Sequence, residues 1–334
     1  MDAILTSLFN RSNRKFHKMQ NCLATLLVSL KMGFAMKISR RNLITGATAS
    51  LAALTATGQV PKARTDLKFK VSNGRIRQSV MGWCFKSKPN PVDGPTLAKM
   101  AADIGLVGIE GISRKDYPAA RKLGLAISLV GSHGFKTGPY SREQHQSCRD
   151  KLVEAIDVAA EVRCPSVITF TGFSVKGTGP EQGAKNCVDL WKSVMSHAEK
   201  KKINLVLEHL NTRDDSHPMK GHPGYFGDDV DLCADLVRRV GSPRMKLLFD
   251  IYHVQIMNGD VIRRIRQYQN LIGHYHTAGN PGRAELDDTQ EINYPAVMRA
   301  IVETGYKGFV TQEFIPTWKN KEAALRHAAM VCDV

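Results

Sequence analysis

No CxxC pair occurs among the seven cysteines, which stand singly at Cys22, Cys84, Cys148, Cys164, Cys187, Cys233 and Cys332. Their odd number and scattered spacing argue against a zinc ribbon or a dithiol redox motif, and buried free thiols are expected. No GxGxxG or P-loop follows a strand-like run, which lowers the dinucleotide and nucleotide options. No repeat of 20–50 residues is present. The weakly apolar, charge-free run 43–57 is too short and too rich in Ala and Thr for a stable membrane span. Dense Lys/Arg runs are missing too, although the net charge is +16. Residues 1–65 carry ten basic residues and one acid, leaving 37 basic against 30 acidic residues, or +7, for the remaining 269. Nucleic-acid binding is therefore not expected. The mild positive field suits an anionic small substrate such as a keto acid.

The front of the chain reads as a targeting segment. Met36-Lys-Ile-Ser-Arg40-Arg41-Asn-Leu precedes the weakly apolar residues 43–57. A charged region followed by a modest apolar one is the layout of an export signal, and the paired arginines resemble a twin-arginine signal. We expect residues 1–65 to be a leader, with its signal at about 36–58, directing export to the periplasm. Met36 is a second candidate start beside Met1. A cytoplasmic enzyme with a basic leader is the alternative.

From about residue 75 short apolar runs alternate with longer amphipathic ones. Strands are expected at 75–85, 106–112, 125–132, 166–173, 204–210, 246–253, 272–278 and 308–314, most of them β-branched or aliphatic and bounded by Gly or Pro. Helical spacing marks 96–104, 142–162, 181–200, 229–240, 260–268, 294–304 and 321–332, with Gly105, Gly124, Gly241 and Gly305 where helices should stop. This order requires parallel strands with crossover helices. Eight alternations suggest one closed (β/α)8 barrel over residues 66–334, an α/β fold.

Catalytic side chains of such barrels stand at the C-terminal ends of strands. The last four strands end in Glu208, Asp250, His276 and Glu313, each behind an apolar run. Charge at the end of a buried strand is costly unless it is paired or metal-bound. Three converging carboxylates and one imidazole suit one divalent cation, Mn²⁺, Mg²⁺ or Co²⁺. His209 and His274 flank these positions and are expected to point the other way by strand alternation. His253, just past the sixth strand, could bond a substrate oxygen or orient Glu208. Arg283, on the loop after the seventh strand, could hold a carboxylate or hydroxyl. His133 and Glu110, behind the third and second strands, are further candidates for the pocket. The long connection from Asn211 to Phe226 has the position of a lid.

The segments Glu208-His-Leu-Asn-Thr-Arg-Asp214, Pro223-Gly-Tyr-Phe226, Phe249-Asp-Ile-Tyr-His253, Ile272-Gly-His-Tyr-His276, Pro281-Gly-Arg283 and Glu291-Ile-Asn-Tyr294 resemble the hydroxypyruvate isomerase family, among the xylose isomerase-like TIM barrels. The resemblance runs over roughly residues 203–318. It implies that Glu208, Asp250, His276 and Glu313 bind one divalent metal, that Glu208 and Glu313 form the acid/base pair, and that His253 and Arg283 contact substrate. The chain departs from the family's pattern at Glu208-His-Leu-Asn211, where Glu-Pro-Ile-Asn is common. It departs again at His276, where Gln is frequent.

The implied reaction moves a proton beside a carbonyl through an enediolate. Isomerisation of a sugar or keto acid is the leading expectation. Ketose 3-epimerisation or dehydration of an inosose on the same site, and a non-catalytic sugar-binding barrel, are the alternatives. Phosphoester hydrolysis would need further metals and more histidine ligands, for which the sequence offers no obvious second set. Homo-oligomerisation is left open.

Overall fold

The computed structural model describes residues 66–334. The expected leader, with Arg40 and Arg41, lies outside the described residues. Eight strands occur, β1 (Arg77–Met81), β2 (Gly108–Glu110), β3 (Ala126–Ile127), β4 (Ser166–Thr169), β5 (Asn204–Glu208), β6 (Met245–Asp250), β7 (Ile272–Thr277) and β8 (Phe309–Gln312). Between and after them run nine α-helices among the described residues. These are α1 (Gly94–Ile104), α2 (Tyr117–Lys122), α3 (His145–Glu161), α4 (Pro180–Lys201), α5 (Val230–Val240), α6 (Ile251–Met257), α7 (Val261–Tyr268), α8 (Tyr294–Glu303) and α9 (Lys321–Cys332).

All strand pairs are parallel, in the order β3-β2-β1-β8-β7-β6-β5-β4. The two ends meet where Val130, just beyond β3, bridges Val167 of β4. Its amide donates to Ser166 O at 3.0 Å, and the Ile168 amide donates to Val130 O at 3.1 Å. The expected barrel is therefore present and its ring is closed. The expected third strand is mostly irregular, however, with only Ala126 and Ile127 in regular register.

Local chemistry sets the helices. Asp93 caps α1 by accepting from the Thr96 amide, and Gly105 ends it at φ 91°. Asp229 caps α5 through the Asp231 and Leu232 amides. On α5, Val230, Cys233, Ala234, Leu236, Val237 and Val240 are buried at helical spacing, so one stripe faces the barrel. All four glycines expected at helix ends have positive φ. The six described cysteines are buried and unpaired, as expected.

Several strand boundaries differ from the sequence reading, two of them near the site. The sixth strand was expected to run through His253, but it ends at Asp250 and α6 begins at Ile251. The run Ile251-Tyr-His-Val254 is β-prone, yet the Asp250 carboxylate caps the first turn by accepting from the Tyr252 and His253 amides at 2.8 and 3.2 Å. The expected first strand ends early too, at Met81, and Trp83–Lys86 turns as a 3-10 segment.

Candidate metal centre

Strand alternation brings the site together. Adjacent strands set Glu208 beside Leu248, Asp250 beside His276 and His276 beside Thr311. Glu313 follows β8 directly and extends its ladder by donating its amide to Thr277 O at 2.9 Å. One ligand atom from each of Glu208, Asp250, His276 and Glu313 lies within 4.8 Å of all the others, and all four residues are buried. His276 Nδ1 stands 3.1 Å from Glu208 Oε1 and 2.9 Å from Glu313 Oε2. The four positions singled out in the sequence thus converge.

His209 points away from this cluster, as expected, and packs edge-on against Phe249. His274 does not. Side chains alternate with period two, so His274 shares its face with His276, two residues on. The expectation that it pointed away is corrected: its Nε2 lies 3.1 Å from Glu110 Oε2 and 3.1 Å from Thr311 Oγ1. Glu110, His274 and His276 form a second group able to offer metal-ligand atoms, adjoining the first and sharing His276. A second set, absent from the sequence reading, therefore exists.

A cavity of about 260 Å³ opens above the cluster. Glu208 and Glu313 line it, with Glu110 and Arg283, whereas Asp250, His276 and His253 do not. Its walls are largely apolar, with Trp83, Leu129, Phe135 and Phe170 among them. His133 also lines it, with its Nε2 2.9 Å from Thr169 Oγ1. The long 211–226 connection contributes Met219 and His222 to the wall. Tyr225 of this connection donates its hydroxyl to Glu208 O at 2.8 Å, which ties the loop to the end of β5.

Arg283 donates Nη2 to Glu313 Oε2 at 2.5 Å and Nη1 to Met219 O at 2.6 Å. Its Nη2 is 3.6 Å from Asp250 Oδ2. Trp83, which no motif in the chain marks, donates Nε1 to Glu313 Oε1 at 3.2 Å. The guanidinium lies 5.2 Å from the centre of the Trp83 ring. His253 sits in the first turn of α6. Its Nδ1 accepts from the Asn211 amide and lies 2.7 Å from Asn211 Nδ2, while Nε2 is 3.5 Å from Asp250 Oδ2.

The electrostatics are those of crowded acids. Burial and the charge of Glu313 raise the Glu208 carboxyl. Burial raises Asp250 to about 7, against the pull of Arg283 and with help from Glu313 and Glu208. Burial also opposes ionisation of Glu313, but Arg283 and His276 outweigh it and hold this carboxyl at about 2. For His276 burial disfavours charge, yet Glu313 and the ring's hydrogen bonds to Glu110, Glu208 and Glu313 prevail and raise it. His253 is kept neutral by burial and by Arg283. Four buried carboxylates, counting Glu110, thus face one guanidinium and two imidazoles, those of His274 and His276. Three of them, with the His276 imidazole nitrogen, point at one spot. A divalent cation fits this donor set, since oxygen-rich ligation with one imidazole balances the excess negative charge.

The family described as xylose isomerase-like TIM barrel matches residues 100–332. Hydroxypyruvate isomerase from Escherichia coli is 29% identical over 241 residues, spanning 68% of this chain and 89% of that protein. 2-Oxo-tetronate isomerase from Pectobacterium atrosepticum is 26% identical over 239 residues, 67% of this chain and 87% of its own length. A solved structure described as AP endonuclease, family 2, from Brucella melitensis superposes with a TM-score of 0.64 at 24% identity, covering 75% of this chain and 96% of that one. The last likeness speaks to the fold alone.

Proposed function

The chain belongs to the xylose isomerase-like TIM barrel family, and on that premise we propose that it is a divalent-metal-dependent isomerase of small α-hydroxy carbonyl compounds, keto acids foremost. The relatives named hydroxypyruvate isomerase and 2-oxo-tetronate isomerase support the substrate class. One observation carries the reading: two of the four convergent ligands, Glu208 and Glu313, line the cavity, and the other two lie beneath it.

That division assigns roles. Glu208, Asp250, His276 and Glu313 would hold the cation. When bound, it supplies positive charge to a substrate carbonyl and the adjacent hydroxyl, and so stabilises the charge left when a proton leaves carbon. The side chains do the rest. Glu208 and Glu313 flank the space a substrate would fill, so one removes a proton from carbon and one returns a proton to the neighbouring carbon, while the hydroxyl proton passes to the former carbonyl oxygen. Arg283 and Trp83 fix the Glu313 carboxylate from two sides, which sets its orientation before substrate arrives.

The test is a panel of keto acids, ketoses and inososes with Mn²⁺, Mg²⁺ and Co²⁺, followed by NMR in deuterated buffer. Turnover of a keto acid with deuterium entering the carbon next to the carbonyl is expected. Turnover without incorporation would replace proton transfer by a hydride shift. Epimerised or dehydrated products would move the activity to another outcome of the same site. The leader would direct export, and replacing Arg40 and Arg41 by lysine should then retain a reporter fusion in the cytoplasm.

A further inference from the structure

Beneath the cavity, Glu110 reaches across the barrel. Its strand, β2, pairs only with β1 and β3, yet its Oε1 lies 2.9 Å from Nε2 of His276 on β7. Both side chains are sealed from solvent, Glu110 at 1% and His276 at 0% exposure. The other carboxylate oxygen is also taken. Ser128 donates its hydroxyl to Oε2 at 2.6 Å, Thr311 donates at 2.9 Å, and His274 Nε2 lies 3.1 Å away. Ser128 Oγ is in turn 2.6 Å from Ser79 Oγ.

We propose that Glu110 is a positioning residue for the metal centre, fixing the His276 ring so that Nδ1 faces Glu208, Asp250 and Glu313; this rests on the metal-dependent reading above. An ionised carboxylate only accepts hydrogen bonds. The Nε2 that faces it must therefore carry hydrogen, and the neutral ring then has its lone pair on Nδ1. That lone pair lies 3.1 and 2.9 Å from two carboxylate oxygens. Lone pairs at such distances repel, so the spot demands a proton or a cation. A cation that enters displaces the proton and finds the ring already turned to it.

Glu110 is not a third acid or base, although it lines the cavity floor. Hydroxyl donors and two imidazoles occupy both of its oxygens, which leaves none for a substrate proton. The same occupancy argues against a second ion between Glu110, His274 and His276.

Co²⁺ is the probe. Its affinity is measured by competition with a chromophoric chelator in the wild type, Glu110→Gln, His276→Gln and the double variant. Glu110→Gln should weaken Co²⁺ binding about ten- to a hundredfold and shift the visible Co²⁺ spectrum. In the His276→Gln background the same change should cost nothing further, because the residue acts through the ring. Equal loss in both backgrounds, or no loss in the first, overturns the proposal. Two Co²⁺ per wild-type chain would also overturn it, in favour of a second ion. A wild type that binds no Co²⁺ removes the metal centre itself and the proposal with it. Should Glu110→Gln fail to fold, the wild type still decides. Long-range proton–nitrogen NMR correlations of the Mg²⁺-loaded protein should show His276 protonated at Nε2, and a ring protonated at Nδ1 is the contrary result.

Discussion

Arg283 reaches Glu313 from the turn after β7, Nη2 to Oε2 at 2.5 Å, with both side chains almost wholly out of solvent. Breaking a buried pair by removing one partner leaves an uncompensated charge and costs about 3–5 kcal/mol. Arg283→Gln should therefore lose about that much stability in urea unfolding of the metal-free protein. A loss below about 1 kcal/mol would mean that water screens the pair.

Asp250 accepts the Tyr252 and His253 amides through Oδ1 and offers Oδ2 towards Arg283 and His253. Asparagine keeps an acceptor oxygen for the cap but gives up the charge. Asp250→Asn should fold, with α6 intact by circular dichroism, and bind Mn²⁺ at least about tenfold more weakly than wild type, in line with the loss of a charged ligand. Wild type should carry one divalent ion per chain by metal analysis. A fully active, metal-free wild type is the result that defeats the metal centre.

His209 is buried with neither ring nitrogen bonded, and burial, aided by His276, pushes it down from 6.5 to about 3. The folded chain holds it neutral while the unfolded chain takes up a proton below about 6.5. Between those values the unfolded state binds more protons, so stability is complete above pH 6.5 and falls as pH drops, by up to about 1.4 kcal/mol per unit. His209→Phe removes this slope and suits the edge-on contact with Phe249. Urea unfolding at pH 7 and pH 5 should show the wild type losing about 2 kcal/mol more than the variant, from the same per-unit value. Parallel losses would place the acid sensitivity elsewhere.

Trp83 contributes a single donor to Glu313. A hydrogen bond to a charged group is worth about 1.5–3 kcal/mol. Trp83→Phe keeps the apolar wall and removes that bond, so kcat/KM should drop about ten- to a hundredfold, and stability should fall by no more than that bond is worth. Unchanged kcat/KM would show that Arg283 alone fixes Glu313.

Much of the site could be read from the chain because strand ends are informative. An apolar run closing on a carboxylate or imidazole marks Glu208, Asp250, His276 and Glu313 without knowledge of their neighbours. His274 was legible by the same rule, since a two-residue step keeps the face. Trp83, Met219 and Phe135 were not: Trp83 lies in a 3-10 segment where a strand was expected, and Met219 and Phe135 sit in turns whose direction no periodicity dictates. The helical placement of His253 was hidden for a different reason, a side-chain cap at Asp250 that overrides the β preference of the residues after it. Glu110 showed only as a strand-end acid. Its partner lies on a strand that is not its neighbour, a relation that only ring closure creates.

The bridge between Val130 and Val167 has a consequence for how the molecule divides its labour. Strands β5 to β8, which present the four candidate ligands, are laddered continuously to one another. The opposite join has two backbone hydrogen bonds, both about Val130, with side-chain bonds from Ser132 to Ile168 O and between His133 and Thr169 beside them, and Leu129, Gly131, Ile168 and Phe170 beside it form cavity wall. Local opening is easiest where backbone bonds are fewest. One half of the ring is thus the more continuously laddered seat for chemistry, and the other, with fewer backbone bonds, forms wall for recognition. Substrate range can drift through the seam without disturbing the ligands across from it.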